Sequence, residues 1–398
     1  MAWIEQRGKT SWRVRYFTTD GSIGSISGFP TKKAAQNKAD TMESEQRQGN
    51  WIDPAHGQLT LAEWVDQWLD ALDVGLRTEE NYRSKLRTHI LPRWGTTTLA
   101  DISGTKAAAW AKHLRHNGLA DVTVSDTMKL FTLILADAVD DKLIPANPIR
   151  PRRRGRGRRT PTPEKIWATP EQVLHITDQT ATCYGPDGAI LILTAAYTGA
   201  RWGELTGLQR PNLHLNPTDQ ARIVIDPHTG ALHESSSGKL WLGPPKTPES
   251  ARTIRLPAFL TPLLRTYLDT HNHRHVFVTP DGELHRRSNF SRRALRPAAD
   301  GNHHTTNPHH RTQPIRTGLT FHGLRHTHKT WMIEDNIPEI AQSRRLGHKL
   351  PDKIQETYSH VTPTIEQRIL HTLQQRWTTT LANTPTTNLD TTWRHTTT

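Results

Sequence analysis

Hydrophobic positions change their spacing along the chain, and the changes divide it. Trp12, Val14 and Tyr16 alternate with Arg13, Arg15 and Phe17. The Asp20-Gly21 turn follows, and Ile23 to Phe29 adds strand-like residues, so a small sheet is expected near the amino terminus. Thr31 is placed as the N-cap of a polar helix running to about Gln48. Residues 1–55 therefore form a β-plus-α module. One face of its sheet carries Arg13 and Arg15, which suits either phosphate contact or a solvated charged surface.

From Thr60 the period becomes helical. Leu61, Trp64, Val65, Trp68 and Leu69 fall on one face, and Thr60 with Glu63 makes a capping box. Further helices are expected at about Glu79 to Leu91, where Pro92 ends the run, at Thr105 to His116, and at Val122 to Asp140. These make an all-α domain over 59–150. Its exposed Arg83, Lys85, Arg87, Lys112, Arg115 and Lys129 are either solvated charge or a track for a polyanion.

The stretch Pro151 to Arg159 has no apolar side chain to bury and reads as an exposed linker over 151–165. Six arginines, Arg152, Arg153, Arg154, Arg156, Arg158 and Arg159, are more than a neutral tether needs. They suit a strap along a duplex.

Beyond Trp167 the pattern mixes α and β over 166–377, mainly helical with a small antiparallel sheet. Helices are expected at Pro170 to Asp178, Gly188 to Tyr197, Pro257 to Thr270, Leu324 to Asn336, Ile337 to Leu346 and Pro363 to Trp377. Strands are expected at Arg222 to Asp226, Leu240 to Leu242 and Arg252 to Leu256. The Thr-rich tail 378–398 has little to pack and reads as flexible. The fold class is thus multidomain: a β-plus-α module, a helical domain and a mixed α/β domain.

Composition narrows the partner. Lys and Arg number 51 against 38 Asp and Glu among 398 residues, a formal charge of +13. Such a surplus attracts polyanions, nucleic acid above all. Cys183 is the only cysteine, so an intramolecular disulfide is excluded and a reducing cytoplasm fits. The amino terminus is polar, without the apolar core of a signal peptide, and the longest apolar run, Ala189 to Tyr197, falls short of the roughly twenty residues of a membrane span. No membrane partner is expected.

The candidate chemistry lies in the last domain. In Thr198-Gly199-Ala200-Arg201, a glycine turn after a buried helix puts Arg201 at the start of another, where a guanidinium and helix-terminal N–H groups can face one anion. His322 and Arg325, three apart on a helix, share a face. His348 follows Leu346-Gly347 at a helix boundary. Lys246, in Pro245-Lys246-Thr247-Pro248, reads as a hairpin tip able to place its ammonium beside a leaving oxygen, with Lys239 as rival. Tyr358 lies downstream of all of them. Its phenol, with an ordinary pKa of about 10, is a poor nucleophile unless cations stabilise the charge that develops on a phosphate. Arginine supplies a fixed fork for two phosphate oxygens.

The strings Thr198 to Leu205, Lys246 to Pro257, Phe321 to Thr327, Leu346 to His348 and Tyr358 to His360, in this order, resemble the tyrosine recombinase (phage integrase) family from about residue 60 to 375. The resemblance implies that 59–150 is a core-binding domain, that the first module is an arm-type DNA-binding domain, and that 166–377 is catalytic. Tyr358 would attack the scissile phosphate, forming a 3′-phosphotyrosyl link. Arg201 and Arg325 would balance the charge, His322 and His348 would add hydrogen bonds or proton transfer, and Lys246 would protonate the leaving 5′-oxygen. Glu204 would orient an arginine.

No cofactor or metal would be required. Partners would be double-stranded DNA attachment sites and three further copies in a tetramer, with a directionality factor and a host DNA-bending protein possible. Integration or excision of a mobile element is the expected role. A dimer-resolving recombinase and a catalytically silent DNA-binding relative are the alternatives. The stretch Asp300 to Thr320, with His303, His304, His309 and His310, is longer than the family pattern and reads as a mobile loop or, less readily, a zinc site.

Overall fold

The computed structural model describes residues 2–18, 21–48, 51–53, 56–149, 164–216, 220–349 and 361–384. The chain divides into two compact units, Met1–Arg159 and Thr160–Thr398. Tyr358 and the six arginines from Arg152 to Arg159 lie outside the described residues.

In the first unit, strands β1 (Ala2–Gly8), β2 (Ser11–Phe17) and β3 (Ile23–Phe29) form an antiparallel sheet in the order β1-β2-β3. The period of two turns Val14 and Tyr16 onto helix α1 (Lys32–Arg47), where they are buried with Ala35, Ala39 and Met42. Thr31 caps α1 by accepting from the Ala34 N–H. Arg13 and Arg15 face the other way, and both pair with Glu5 across the strands, at 2.7 and 3.6 Å.

A second core in this unit gathers α2 (Leu61–Asp70), α3 (Leu76–Lys85), α4 (Leu91–Trp94), α5 (Gly104–His116) and α6 (Asp121–Asp140). The Thr60–Glu63 capping box starts α2. Trp64 and Trp68 cross to α6, donating to the Ile134 carbonyl at 3.0 Å and the Asp137 carboxylate at 2.5 Å. Each fully buried aliphatic side chain here, such as Leu61, Ile90 or Leu135, contributes about 1.5–3 kcal/mol of hydrophobic stabilisation.

One expectation fails in this core. Pro92 does not end the third helical run. A π turn at Leu86–Ile90 follows α3, and α4 continues through Pro92. The wider i→i+5 turn loosens the ladder where proline lacks an N–H and its ring crowds the preceding carbonyls. The same arrangement recurs at the π turn Ser291–Leu295, just before Pro297.

The second unit is built around α8 (Pro186–Thr198), buried at every position from Gly188 to Thr198. Helices α7 (Pro170–Cys183), α10 (Leu260–Leu268) and α13 (Phe321–Glu334) pack on it. Tyr197 meets Phe259, Trp331 and Trp377 edge-on. Short α9 (Trp202–Thr206) follows α8, and α11 (Arg287–Phe290), α12 (Arg296–Asp300) and α14 (Glu339–Leu346) complete this part of the layer.

The expected single small sheet is two. Strands β4 (Leu213–His214), β5 (Arg222–Ile225) and β8 (Arg252–Arg255) form one, while β6 (Ala231–Glu234) and β7 (Leu240–Gly243) form a separate hairpin. The hairpin tip is Ser235 to Lys239, closed by Gly238 in the left-handed region at φ 84° and by Ser235 Oγ accepting the Lys239 N–H. Lys246 is therefore not at a hairpin tip. Pro244, Pro245 and Pro248 flank it, and prolines withhold the N–H groups that a ladder needs.

Two further segments are more ordered than expected. The last described helix is Pro363–Asn383, so residues 378–383 are helical rather than part of a flexible tail; Thr380 is buried and its hydroxyl donates to Glu171 at 3.4 Å. The His-rich stretch is tied at its base. Asp300 accepts the Gly318 N–H at 2.7 Å, Thr312 donates to the Pro297 carbonyl, and Gln179 bonds Gln313 in both directions. His303, His304, His309 and His310 are exposed. Among the described residues no three His, Cys, Asp or Glu side chains gather as a metal-sized group. No described helix is long and apolar enough to cross a membrane.

Candidate active site

Two helices of the second unit end in the same way and end together. At α8, Gly199 takes φ 65° and its N–H returns to the Ala195 carbonyl. At α14, Gly347 takes φ 66° and donates to Arg344, while the His348 N–H returns to Ser343. Both are glycine caps of the left-handed kind, and each leaves carbonyl oxygens without helical donors. A Cβ on Gly199 would come within 2.7 Å of Leu346 and 2.8 Å of His328, so only glycine lets the two ends meet.

Arginines fill the carbonyls. Arg325, from the second turn of α13, donates through Nη1 to Gly199 O at 2.7 Å and through Nη2 to Leu346 O at 2.5 Å. Arg201, the N-cap of α9, donates through Nη2 to Gly347 O at 3.0 Å and through Nη1 to Glu204 at 2.7 Å and Ser250 Oγ at 2.7 Å. Glu204 also accepts the Arg201 N–H at 2.9 Å, so its own carboxylate, rather than an outside anion, sits at the start of α9.

Glu204 is 2% exposed and bonds Arg252 as well, at 2.9 Å. Burial alone would raise its pKa; Arg252 and Arg201 outweigh that and hold the carboxyl below its usual range. Two guanidinium groups thus share one carboxylate. Arg325 is 4% exposed and has no carboxylate within ion-pair distance among the described residues. Burial, followed by repulsion from Arg201 and Arg252, drops its pKa to about 9. A cation this deep, with carbonyl dipoles as its bonded neutralisers, leaves a strong positive potential at the surface beside it.

The two histidines expected from the motifs border this cluster. His322, on the first turn of α13, and His348, after the α14 cap, are exposed as whole residues but partly desolvated at their rings. Desolvation lowers both rings to about 4; the neighbouring His326 ring acts next on His322, and Arg325 and Arg201 repel a proton from each. Both are neutral at pH 7, each with one donor and one acceptor nitrogen.

The structure therefore brings together Arg201, Glu204, His322, Arg325 and His348. Lys246 is exposed, a short step along the chain before Ser250, and among the described residues no hydrogen bond or ion pair joins it to the cluster. Lys239 is exposed at the β6–β7 tip, where Arg286 donates to Gly238 O. Tyr358 is outside the described residues. Arg13 and Arg15 belong to the first unit.

The motifs assign no role to Ser250, Arg252, His328 or Arg345. Arg252 falls within the string from Lys246 to Pro257, yet nothing local marks an arginine in a β-strand as buried. Its partners, Glu204, the Ser250 carbonyl and the Arg345 carbonyl at 2.7 Å, come from three segments.

Residues 167–364 match the model of the phage integrase family. The putative prophage phiRv2 integrase of Mycobacterium tuberculosis is 26% identical over 353 residues, covering 87% of this chain and 88% of that protein. An integrase of Streptomyces ambofaciens is 24% identical over 356 residues, covering 84% of this chain and 85% of that one.

Among solved structures, the Tn1549 transposon integrase in complex with transposon right end DNA superposes with a TM-score of 0.60 at 18% identity, over 79% of this chain and 99% of that one. The lambda integrase tetramer bound to a Holliday junction gives 0.51 at 17% identity, over 90% and 98%. The fold, the ordered motifs and the relatives agree: residues 167–364 of this chain belong to the phage integrase family, the tyrosine recombinases.

Proposed function

We propose that this protein is the integrase of a mobile element, cutting and rejoining double-stranded DNA at attachment sites through a 3′-phosphotyrosyl intermediate. The observation that carries the proposal is Arg325: a buried guanidinium bonded to carbonyls and, among the described residues, to no acid, beside Arg201, is built to receive an anion from outside. A scissile phosphate is that anion. As the nucleophile adds, negative charge grows on its non-bridging oxygens, and donors already held in place stabilise the transition state without reorganising.

In this reading Tyr358 supplies the nucleophile and becomes esterified to the 3′-phosphate while the 5′-oxygen leaves. His322 and His348, neutral at working pH, hold phosphate oxygens or pass a proton from the phenol. Lys246 protonates the leaving oxygen; Lys239, exposed on the hairpin, is its rival. Because the phosphodiester energy is kept in the protein–DNA ester, a 5′-hydroxyl from a second duplex reverses the step with no nucleotide cofactor. The β-plus-α module is an arm-type DNA-binding domain, the α2–α6 bundle is the core-binding domain, and Arg152 to Arg159 form a basic strap on the backbone. Strand exchange between two duplexes calls for four protomers, with a directionality factor and a host DNA-bending protein as candidate accessories.

The test is covalent capture. Incubated with a nicked suicide duplex in EDTA, the protein should yield a denaturation-resistant DNA adduct, and Tyr358→Phe should yield none while binding the duplex as before. A Tyr358→Phe protein that still forms the adduct, or an unsubstituted protein that forms none on its own attachment site, defeats the reading.

A further inference from the structure

Beside Arg201 and Arg325 lies a second pair of basic residues, buried and bonded, among the described residues, to backbone carbonyls and to each other. Arg345, in the last turn of α14, is 6% exposed, and His328, on α13, is fully buried. Arg345 Nε donates to His328 Nε2 at 2.9 Å, its Nη2 to the Tyr197 carbonyl at 3.2 Å, and its Nη1 to the Arg255 carbonyl at 3.1 Å. His328 Nδ1 lies 2.9 Å from the Ala196 carbonyl.

The tautomer follows from the partners. A guanidinium can only donate, so His328 Nε2 must be the bare acceptor and Nδ1 must carry the proton that goes to Ala196 O. The ring is therefore neutral, in line with burial and the adjacent Arg345, which push its pKa well below the ordinary value.

Ala196 and Tyr197 are in the last turn of α8, directly before the Gly199 cap; Arg345 directly precedes Leu346 and Gly347. The pair thus ties the end of α8 to the end of α14, and those ends carry the oxygens that hold the outer arginines. Arg325 is aimed by Gly199 O and Leu346 O, and Arg201 by Gly347 O. The His328 ring also sits under Gly199, where an added Cβ would meet it at 2.8 Å.

Stability gives little reason for such a pair. Two apolar side chains would fill the space without burying a charge that pairs with no carboxylate among the described residues, and buried ions are commonly neutral or unfavourable beside apolar replacements. What apolar groups cannot do is fix two helix ends in one relative position through directed bonds.

We propose that His328 and Arg345 form a positioning unit that clamps the α8 and α14 termini and so sets the geometry of the phosphate-facing Arg325 and Arg201. Neither residue touches DNA; both act through the carbonyls that the outer arginines use. The proposal rests on the recombinase reading above, in which those two arginines contact the scissile phosphate.

The experiment replaces both members together, H328F with R345L, so that neither partner of the side-chain bond is left stranded. Thermal unfolding, duplex affinity and the single-turnover rate of adduct formation on suicide DNA are measured for this variant, for R325K, and for the triple combination. The expected result is a folded protein that binds DNA within about threefold of the parent and forms adduct at least about tenfold more slowly. Removing the pair from R325K should cost clearly less than removing it from the parent, because the route through Arg325 is already broken and only that through Arg201 remains.

A folded double variant with the parental rate overturns the proposal, as does full multiplicative loss in the triple variant. Should the double variant not fold, R345K, which keeps the charge and loses the fork, is put through the same rate measurement and read by the same criterion. If neither folds, the pair is a folding element and the positioning role is refuted. Absence of adduct from the unsubstituted protein, run alongside, refutes the recombinase reading instead.

Discussion

Two regions of this molecule gather arginines, and they do so in opposite ways. On the amino-terminal sheet, Arg13 and Arg15 keep 20% and 34% of their side-chain surface and share the exposed Glu5. At the junction of α8 and α14, Arg325 is nearly sealed and its partners are backbone carbonyls. In the first case the charges are near solvent, neutralised by a residue that can swing away, and free to re-pair with whatever arrives. In the second the desolvation has been met during folding, and the guanidinium is held in a fixed orientation. The first arrangement suits association and the second suits chemistry, because only preorganised charge lowers a barrier without moving first.

That contrast breaks most easily at Arg325. Arg325→Lys keeps the charge but loses the fork that bridges Gly199 and Leu346. Its adduct-forming rate should fall by about 10²- to 10³-fold, the range for removing one preorganised donor, with duplex affinity little changed. A fall in affinity that accounts for the whole loss would place Arg325 with the associative arginines instead.

Glu204 is next. Glu204→Gln preserves shape and removes a carboxylate bonded to both Arg201 and Arg252. Stability should drop by about 3–5 kcal/mol in denaturant titration, as when one member of a buried ion pair is lost. A drop below about 1 kcal/mol would mean that the carbonyls alone neutralise the cluster.

Acid should weaken the second unit through a buried imidazole. His285 is 1% exposed, and burial lowers its pKa from 6.5 to about 4. The unfolded chain takes up a proton that the folded one refuses, so stability is complete above about pH 6.5 and declines as pH falls toward 4. His285→Phe should flatten the decline, followed by denaturant titration at intervals between those two values. An unchanged slope would assign it to other groups.

The smallest effects belong to the sheet. Glu5→Gln frees two partly exposed arginines and should leave the unfolding midpoint where it was, because exposed ion pairs are weak. If the sheet face lies on DNA, the same change strengthens duplex binding at low salt and steepens its salt dependence. Weaker binding would give Glu5 itself a contact with DNA.

Much of the fold is legible in the sequence because it rests on local rules. Thr31 and Thr60 cap the helices that follow them, the alternation about Val14 and Tyr16 sets the first sheet, and the apolar run at Ala189 to Tyr197 becomes the buried helix of the second unit. Where a local rule has a rival, the sequence misleads. Pro92 reads as a stop, but a π turn ahead of it absorbs the conflict; the prolines around Lys246 read as a turn, but Gly238 makes the tighter one. In the candidate site, the motifs locate Arg201, Glu204, His322, Arg325 and His348, but not Arg252, whose side chain is nearly covered by bonds to Glu204 and the Arg345 carbonyl from distant segments.

The chain on its own settles the set of parts: an ordered series of Arg, His and Tyr motifs, a basic balance, and capped elements of the right period, all consequences of interactions a few residues long. Packing then selects which charges are buried and what answers them. Gly199 and Gly347, far apart along the chain, cannot announce that their helices will meet, because that depends on how closely Leu346 of α14 and His328 of α13 pack against Gly199. The convergence turns Arg325 from a surface cation into a sealed one and recruits Arg252, Arg345 and His328, whose positions in sequence carry no mark of it. Burial is a property of the whole packed core, and no short window of sequence contains it.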